Sequence, residues 1–493
     1  MVDLLLAIQV VTWVVVCFLF FLVGRTGSIF HPFTFYAVFH LIVFVIRPLL
    51  LQYAGFGFTY DYMRFTPTPE TVSLTLVVTN MAFCLFALVS WWSGHRVPRF
   101  DRQPGPLTPL QRQALIVTFA VLTPLALYSA VINSAPRVFE GSGGIEMVID
   151  PDTGIQTLAN TTGYLLDAQG MLATLSIILL CVTRFRWYAF LPLALFLAYR
   201  AFLGWGRYAM VMSLASVLLV YLFHKGRRWP QPRFLLVAIP LFIVFQQLGE
   251  QRDYVRYLVT GERPYTWELP VERSWVERQD TLDFANFEFL TAILWAVPEH
   301  SDTYTYFTQY LQLFTQPIPR ILWPEKPVGP PIMLVNMNDY VNFMGLTNSL
   351  VGDGWLSFGW IGVVITIALV AFILGRLHRA FWRNTASPRA LLAYCTFVPL
   401  SLQWFRDGGI TIVMFAAWAL FPLVVWYASE RALVFMYGRS VRRAPAPALA
   451  APGAGLAPPV RQVMQALERT FPPAEAAPAP AVAPPPAPAV PRP

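Results

Sequence analysis

Residues 316–327 read Gln-Pro-Ile-Pro-Arg-Ile-Leu-Trp-Pro-Glu-Lys-Pro, and this stretch decides how the chain is divided. Proline lacks the backbone N–H and disrupts a helix interior, so no membrane-spanning helix accommodates such a segment. It lies within residues 249–355, the one long interruption in a chain that otherwise alternates apolar runs with short polar breaks. This pattern predicts one large loop outside the membrane, with a block of spanning helices on either side.

The composition indicates a membrane protein. The chain has 493 residues, of which 56% are hydrophobic and 13% charged, whereas a soluble domain is about 45–50% apolar and about 25% charged. Lipid offers no hydrogen-bond partner to unpaired backbone N–H and C=O groups, so spanning segments are helices or closed barrels. The apolar runs are too long for barrel strands. The predicted fold class is therefore an all-α polytopic integral membrane protein with about 11 transmembrane helices, at about 20 residues per span.

The apolar runs define the predicted domains. The first run ends near Val23, and the others cover 33–51, 71–92, 113–132, 163–183, 187–203, 208–223, 234–248, 355–375, 390–404 and 410–428. Helices 1–8 then fall within residues 1–248, the large periplasmic loop with short helices within 249–355, and helices 9–11 within 356–430. Residues 444–493 are rich in alanine and proline and predict a disordered cytoplasmic tail.

The orientation follows from the basic breaks, because cytoplasmic loops carry an excess of Lys and Arg. Every second break is basic, and the alternate breaks are acidic or mixed. This pattern predicts a periplasmic N-terminus, a cytoplasmic C-terminus and an extracytoplasmic 249–355 loop. The basic breaks contain Arg25; Arg96, Arg99, Arg102 and Arg112; Arg184 and Arg186; Lys225, Arg227, Arg228 and Arg233; Arg376, Arg379, Arg383 and Arg389; and Arg431, Arg439, Arg442 and Arg443.

Several classes of chemistry lack their sequence signals. There is no P-loop, no GxGxxG opening a helix, no HExxH and no GxSxG. The cytoplasmic loops are too short to fold a nucleotide-sugar binding domain, so we expect no nucleotide and no cofactor. Asp150-Pro151-Asp152 is read as a turn and not as a metal site. The net charge of +8 is assigned to topology signals, and no nucleic-acid partner is expected.

Four cations are candidates for binding a phosphate group. Arg207 lies between two apolar runs, and a buried arginine is usually paired or functional, the alternative being a side chain that reaches the outer interface. Arg320 and Lys326 bracket the proline-rich turn; the alternative is a structural turn salt-bridged through Glu325. Arg406 lies between the last two helices on the same side, where an ordinary paired loop arginine is the alternative. A guanidinium presents a planar fork of donors that fits phosphate.

Two carboxylates are candidates for a general base. Asp353 stands between glycines just before helix 9, where a helix cap is the structural alternative. Glu250 lies at the end of helix 8, where the helix dipole gives a carboxylate no stabilisation. Either one would deprotonate a sugar hydroxyl if it lay beside an acceptor.

Together these segments resemble a known family. Pro319-Arg320 and Pro324-Glu325-Lys326-Pro327, followed by the 348–362 segment with Asn348-Ser349, Gly352-Asp353, Phe358-Gly359 and Gly362, resemble the Wzy-type oligosaccharide repeat-unit polymerases of O-antigen, capsule and exopolysaccharide assembly. Gly206-Arg207 and Arg406 fit the same pattern. The motif-level resemblance covers residues 204–409. The chain has Asp353 where relatives often carry glutamate.

The resemblance implies polymerisation of undecaprenyl-diphosphate-linked repeat units at the periplasmic face of the bacterial inner membrane. Arg207, Arg320, Lys326 and Arg406 would bind the diphosphate, and Asp353 or Glu250 would act as base. No metal is implied. Its partners would be the lipid-linked oligosaccharide, the bilayer, a flippase and a chain-length-regulating membrane protein.

Aromatic residues in the loop are candidates for glycan stacking, Trp323 and Tyr254 among them; the alternative is an interfacial aromatic belt.

Two rival functions stay open. One is an O-antigen ligase or a lipid-dependent transferase of a single sugar. The other, of a different class, is a glycolipid flippase or transporter, although no inverted repeat is evident.

Overall fold

In a computed structural model of the chain, the described residues form a mostly helical protein. Residues Met1–Val434 make one compact unit, and from Phe435 onward the described residues are the last turns of the final helix. The described residues are 1–95, 100, 104–135, 137–138, 145–149, 156–158, 163–204, 208–234, 236, 240, 254–261, 280–318, 322–323, 325–327, 329–343 and 346–443.

The helices follow the apolar runs closely. They are α1 (Val2–Phe18), α2 (Pro32–His40), α3 (Arg47–Tyr53), α4 (Phe58–Met63), α5 (Pro69–Gly94), α6 (Pro109–Asn133), α7 (Gly163–Asp167), α8 (Met171–Val182), α9 (Phe190–Leu203), α10 (Tyr208–His224), α11 (Tyr254–Thr260), α12 (Asn286–Ala296), α13 (Gln312–Thr315), α14 (Ser349–Arg383), α15 (Pro388–Asp407) and α16 (Gly409–Arg443). Two π-helical segments, Leu19–Val23 and Leu41–Ile46, extend α1 and join α2 to α3.

Several helix starts use recognisable capping chemistry. The Thr68 side chain accepts a hydrogen bond from the backbone N–H of Thr71 at the start of α5. Thr108 and Gln111 form a reciprocal capping box at the start of α6, and the Ser387 hydroxyl caps α15. Each of these caps is followed by proline at the first helical position, where its missing N–H costs nothing.

Within the described residues, seven helices are long and apolar enough to cross a membrane: Val2–Val23, Pro32–Tyr53, Pro69–Gly94, Pro109–Asn133, Gly163–Val182, Ser349–Arg383 and Gly409–Tyr437. Two further predicted spans correspond to shorter apolar helices, Trp187–Leu203 and Tyr208–His224. The span predicted at 390–404 lies in α15, which is helical but is not among the seven, and most of 234–248 lies outside the described residues. The membrane character is supported, and the count of eleven stays a prediction.

A small sheet lies in the break between α6 and α7. Its strands are β1 (Arg137–Val138), β2 (Ile145–Ile149) and β3 (Gln156–Leu158). β1 pairs with β2 in parallel, and β2 pairs with β3 antiparallel. The all-helical class predicted from the apolar runs did not include this element, because the break is polar and carries no spanning pattern.

The long helix α14 is bent sharply into two arms. Phe358 (φ −167°, ψ 44°) and Gly359 (φ 54°, ψ −135°) interrupt it, and only glycine adopts the latter conformation easily. The arms then touch backbone to backbone: a Cβ on Gly354 would lie 2.7 Å from the Cα of Val363, and one on Gly362 would lie 2.0 Å from the Gly354 carbonyl oxygen. The glycines of this segment therefore permit the first arm (349–357) to lie against the second (360–383).

We expect Gly362→Ala to push the two arms apart and to lower the free energy of unfolding by about 1–3 kcal/mol or more. The new Cβ would meet the backbone carbonyl oxygen of Gly354, which cannot turn aside as a side chain can. Gly163→Ala is the matched control, since a Cβ there meets nothing within 4 Å. Chemical unfolding of both variants in mixed micelles measures the difference. Equal stability of the two variants would show that the arms separate without cost.

The predicted 249–355 loop contributes a helix to the protein core. Phe287, Leu290 and Ile293 of α12 are fully buried, and α12 packs on α5 and α14. The Ile293 side chain meets the first arm of α14 at Gly352. The Trp355 indole N–H donates to the carbonyl oxygen of Val297 over 2.7 Å. The loop and the spanning helices are thus one packed structure in this region.

Candidate active site

Asp353 lies where three parts of the chain meet. It is 4% exposed, on the first arm of α14. Its Oδ2 accepts a hydrogen bond from the backbone N–H of Gly409 over 2.8 Å and from the Tyr310 hydroxyl over 3.3 Å. Its Oδ1 accepts one from the Asn348 amide over 3.3 Å. The carboxylate therefore connects the 305–311 segment, the start of α14 and the turn between α15 and α16.

Asp353 caps a helix, but not the one it belongs to. Gly409 is the first residue of α16, and its N–H has no partner within that helix. A carboxylate at a helix N-terminus is stabilised by the helix dipole as well as by the hydrogen bond. Asp353 is therefore a helix cap, as the structural alternative from the sequence proposed. The helix that it caps is α16 and not its own helix.

The two glycines of this turn leave the room that the carboxylate occupies. A Cβ on Gly408 would lie 2.1 Å from Asp353 Oδ2, and Gly408 has φ +88°, which other residues rarely adopt. A Cβ on Gly409 would lie 2.5 Å from Cε1 of Tyr310. The Gly408-Gly409 pair is therefore required by close approach at both positions.

Arg406 lies directly beside this turn. Its side chain is 33% exposed, and its guanidinium is 4.0 Å from Asp283 and 3.7 Å from Asp407. The amide of buried Asn286 donates to the Arg406 carbonyl oxygen over 3.0 Å and to the Thr347 hydroxyl over 2.8 Å. The backbone of Arg406 is thus held firmly. Among the described residues its guanidinium makes two long ion pairs at a partly open surface, where the net effect of a pair is small.

Lys326 contacts the residues at the start of the proline-rich segment. Its Nζ donates to the carbonyl oxygens of Gln316 and Ile318 over 2.9 Å and 3.0 Å. The Gln316 amide in turn contacts the Met414 sulfur on α16 over 2.8 Å. These contacts place Gln316 on α16 within two helical turns of Gly409. They favour the structural alternative for Lys326, which bonds to two backbone carbonyl oxygens.

The remaining predicted site residues are not brought together by the described contacts. Trp323 is 36% exposed, and Tyr254 begins α11, with its side chain outside the described set. Arg207, Glu250 and Arg320 lie outside the described residues. The predicted convergence of Arg207, Arg320 and Arg406 on one cavity therefore stays a prediction.

From the sequence, Tyr310 is one of the loop aromatics that could stack on sugars, but its contact with Asp353 was not predicted, and Asn286 was missed. Burial and the neighbouring Asp353 carboxylate raise the pKa of Tyr310, so its hydroxyl stays protonated and serves as a donor. Both residues are isolated in the sequence among other aromatic and polar residues. Only the packing of α12 and of the 305–311 segment brings them to the turn.

A second buried polar cluster surrounds Arg47. Arg47 donates from Nε to Glu288 Oε1 over 2.7 Å and from its terminal nitrogen to Asp280 Oδ1 over 2.6 Å. Asp280 Oδ2 also accepts from the backbone N–H groups of Gly57 and Phe58, both over 2.9 Å. Arg47 lies within the apolar run at 33–51. Here it joins α3 to α12 and to the loop before α4.

The partly exposed Arg406 guanidinium is the group at this turn that can bind an anion. It lies beside a helix N-terminus whose first N–H is already bonded to the buried Asp353 carboxylate. In the part of the chain that the structure describes, no group of three or more His, Cys, Asp or Glu side chains is placed to hold a metal ion.

Comparison of the chain with protein-family models, with curated proteins and with solved structures found no match. The function is therefore inferred from the residues and their geometry alone.

Proposed function

We propose that the chain is a glycosyltransferase that polymerises undecaprenyl-diphosphate-linked oligosaccharide repeat units at the periplasmic face of the inner membrane. The observation that carries this proposal is the partly exposed Arg406 guanidinium, whose backbone is held beside the glycine turn that Asp353 contacts. The family resemblance of the 319–327 and 348–362 segments supports it, as do the apolar helices, since the substrate is a membrane lipid.

The proposed reaction needs no nucleotide and no metal. A hydroxyl of the incoming unit attacks the anomeric carbon of the growing chain, forming a glycosidic bond while the bond to the lipid diphosphate breaks. The hydroxyl proton goes to a carboxylate base, and the diphosphate leaves with its electron pair. Cations positioned on the leaving diphosphate stabilise the negative charge that develops there.

The residues take the following proposed roles. Arg406 contacts the diphosphate, and Arg207, Arg320 and Lys326 are the further candidate cations. Asp353 and Glu250 are the two candidate bases. Trp323 and Tyr254 are candidates for stacking on sugars.

In the proposed setting the N-terminus is periplasmic and the C-terminus cytoplasmic. A flippase supplies the lipid-linked units, and a chain-length-regulating membrane protein acts on the polymer. Neither partner is needed for the bond-forming step, so the reaction is testable with purified protein.

Purified protein given a synthetic lipid-linked repeat unit is expected to produce a ladder of products. Arg406→Ala is expected to lower the rate by about 10²–10³-fold, as for the loss of one charge-stabilising donor. Arg431→Ala is the matched control, because Arg431 is an exposed arginine on α16 that donates to Tyr427 within the same helix. Gel separation of the products measures both rate and length.

The products distinguish the rival functions. A single added unit would indicate a ligase or a single-sugar transferase in place of a polymerase. Movement of labelled glycolipid across proteoliposomes without bond formation would indicate a flippase or transporter. Full activity of Arg406→Ala would remove Arg406 from the site.

A further inference from the structure

Three of the basic breaks meet at one end of the helices. They follow α1 with its π-helical extension, α8 and α10, and cover residues 24–31, 183–189 and 225–234. None of the three contains aspartate or glutamate. Their seven cations form what we call the basic surface: Arg25, Arg184, Arg186, Lys225, Arg227, Arg228 and Arg233. All of these side chains are exposed except that of Arg227, which is half-buried.

Tyr221 on α10 joins the second of these breaks to the third. Its ring centroid lies 5.5 Å from that of Phe185 and 6.0 Å from that of Phe234. The Lys225 ammonium lies 5.8 Å from the centroid of the same ring. Phe185 also contacts the His224 ring, with centroids 5.8 Å apart. Residues 183–189 and 225–234 therefore pack against the same end of α10.

The first break is held against the third. The backbone N–H of Ile29 donates to the carbonyl oxygen of Arg228 over 2.9 Å. The Phe21 ring meets Trp229 edge-on, with centroids 5.8 Å apart. The cations of all three breaks thus belong to one region of the protein.

A fourth basic break is near in sequence terms but mostly outside the described residues. Residues 96–103 carry three arginines and one aspartate, Asp101. Of that break the structure describes Phe100, which packs on Phe223 of α10 with ring centroids 5.7 Å apart. Its sequence adds further net positive charge and does not enter the basic surface as defined.

Large aromatic side chains are exposed beside these cations. Trp187 is 85% exposed, Tyr188 45% and Trp229 44%. Tryptophan and tyrosine are enriched where hydrocarbon meets the lipid headgroups, because each has an apolar ring and a polar end. Cations flanked by such residues at helix ends therefore fit the headgroup layer of a membrane better than free phosphate in water.

The basic break between α14 and α15 has a different arrangement. There Arg389 forms an ion pair with Glu430 and lies 5.1 Å from the centroid of the Tyr427 ring. The breaks of the basic surface supply no carboxylate of their own, so their like charges repel one another. An anionic lipid surface offsets this repulsion and attracts each cation.

We infer that the basic surface is a binding site for the headgroups of anionic phospholipids. A guanidinium offers phosphate a planar fork of donors, and the exposed aromatic rings lie in the same headgroup layer. Because the cations come from three breaks, a bound headgroup links the ends of α1, α8 and α10. This binding is independent of the proposed reaction, since it involves no group of the substrate.

The test uses the purified full chain in micelles that contain phosphatidylglycerol and phosphatidylcholine together. Native mass spectrometry counts the lipids of each kind that stay bound and gives their affinities by titration. The variants are Arg186→Gln and Lys225→Gln, from two different breaks, and the double variant. The matched control is Arg431→Gln, because Arg431 is an exposed arginine that follows Glu430 directly and lies on α16.

We expect the wild type to retain phosphatidylglycerol in preference to phosphatidylcholine. Each single variant is expected to bind phosphatidylglycerol about fivefold more weakly, the factor that corresponds to about 1 kcal/mol per cation near a lipid surface. The double variant is expected to lose about 25-fold, the product of the two. Arg431→Gln is expected to bind like the wild type, and Arg186→Lys to retain most of the affinity because it keeps the charge.

Three results would overturn the inference. One is equal retention of the two lipids by the wild type. The second is an equal loss in Arg186→Gln, Lys225→Gln and Arg431→Gln, which would mean that the net charge attracts lipid without a site. The third is full competition by soluble glycerol 3-phosphate at the concentration of the lipid, which would assign the site to free phosphate. Thermal unfolding checks that each variant folds, and the single variants decide the test if the double variant does not.

Discussion

Glu288→Gln is expected to lower the free energy of unfolding by about 3–5 kcal/mol, the usual effect of removing one partner from a buried ion pair. Glu288 is fully buried, and the Arg47 side chain is 3% exposed. The variant keeps the shape of the side chain but removes the charge, so Arg47 is left with Asp280 as its only described carboxylate partner. Chemical unfolding in mixed micelles measures the loss.

The control for this prediction is Glu325→Gln, because Glu325 is exposed and a surface substitution changes stability by only about 0.5 kcal/mol. A double-mutant cycle with Arg47→Met separates the pair from its surroundings. We expect the double variant to lose less stability than the two single variants together, since removing both charges leaves no unpaired one. A Glu288→Gln variant as stable as Glu325→Gln would show that the cluster contributes nothing.

Asp353→Asn is expected to reduce both stability and polymerisation. The amide replaces one acceptor oxygen with an NH₂ donor, which then faces either the Gly409 N–H and the Tyr310 hydroxyl or the Asn348 amide, so at least one of these hydrogen bonds is lost. Such a loss costs about 1–3 kcal/mol. The turn that carries Arg406 then shifts, and a displacement of about 1 Å in a positioning group lowers a rate by about 10²-fold.

Asp302→Asn is the matched control, because Asp302 is exposed and has φ 51°, a conformation that asparagine tolerates. Asp353→Glu is expected to fail like Asp353→Asn, since Gly408 leaves no room for another methylene group. Unfolding and product ladders are measured on the same preparations. Lost turnover with unchanged stability in Asp353→Asn would assign Asp353 the role of base and not that of a positioning residue.

Much of the helical framework was predictable, because lipid imposes a length on apolar runs that the sequence displays directly. The runs at 71–92 and 113–132 correspond to α5 and α6 within a few residues. The bend in α14 was not predicted, since Phe358-Gly359 is a small signal inside a long apolar pattern. The burial of α12 was not predicted, because its eleven residues are too few to span a membrane.

The candidate site was predictable in its residues and not in its contacts. Asp353 and Arg406 stood out from their glycine-rich and polar surroundings. The acceptor role of Asp353 toward Gly409 joins residues 56 positions apart, and no local pattern specifies such a contact. The same holds for Lys326, whose carbonyl partners, Gln316 and Ile318, lie ten and eight positions before it.

The bend in α14 also limits how much of this segment is available to cross a bilayer. A straight helix of 35 residues would be about 52 Å long at about 1.5 Å per residue, far more than the hydrocarbon thickness of about 30 Å. Because the chain bends sharply at Phe358-Gly359, the second arm alone, about 36 Å long, has the length of one span. The first arm lies against it and, at about 14 Å, is too short to form a second span.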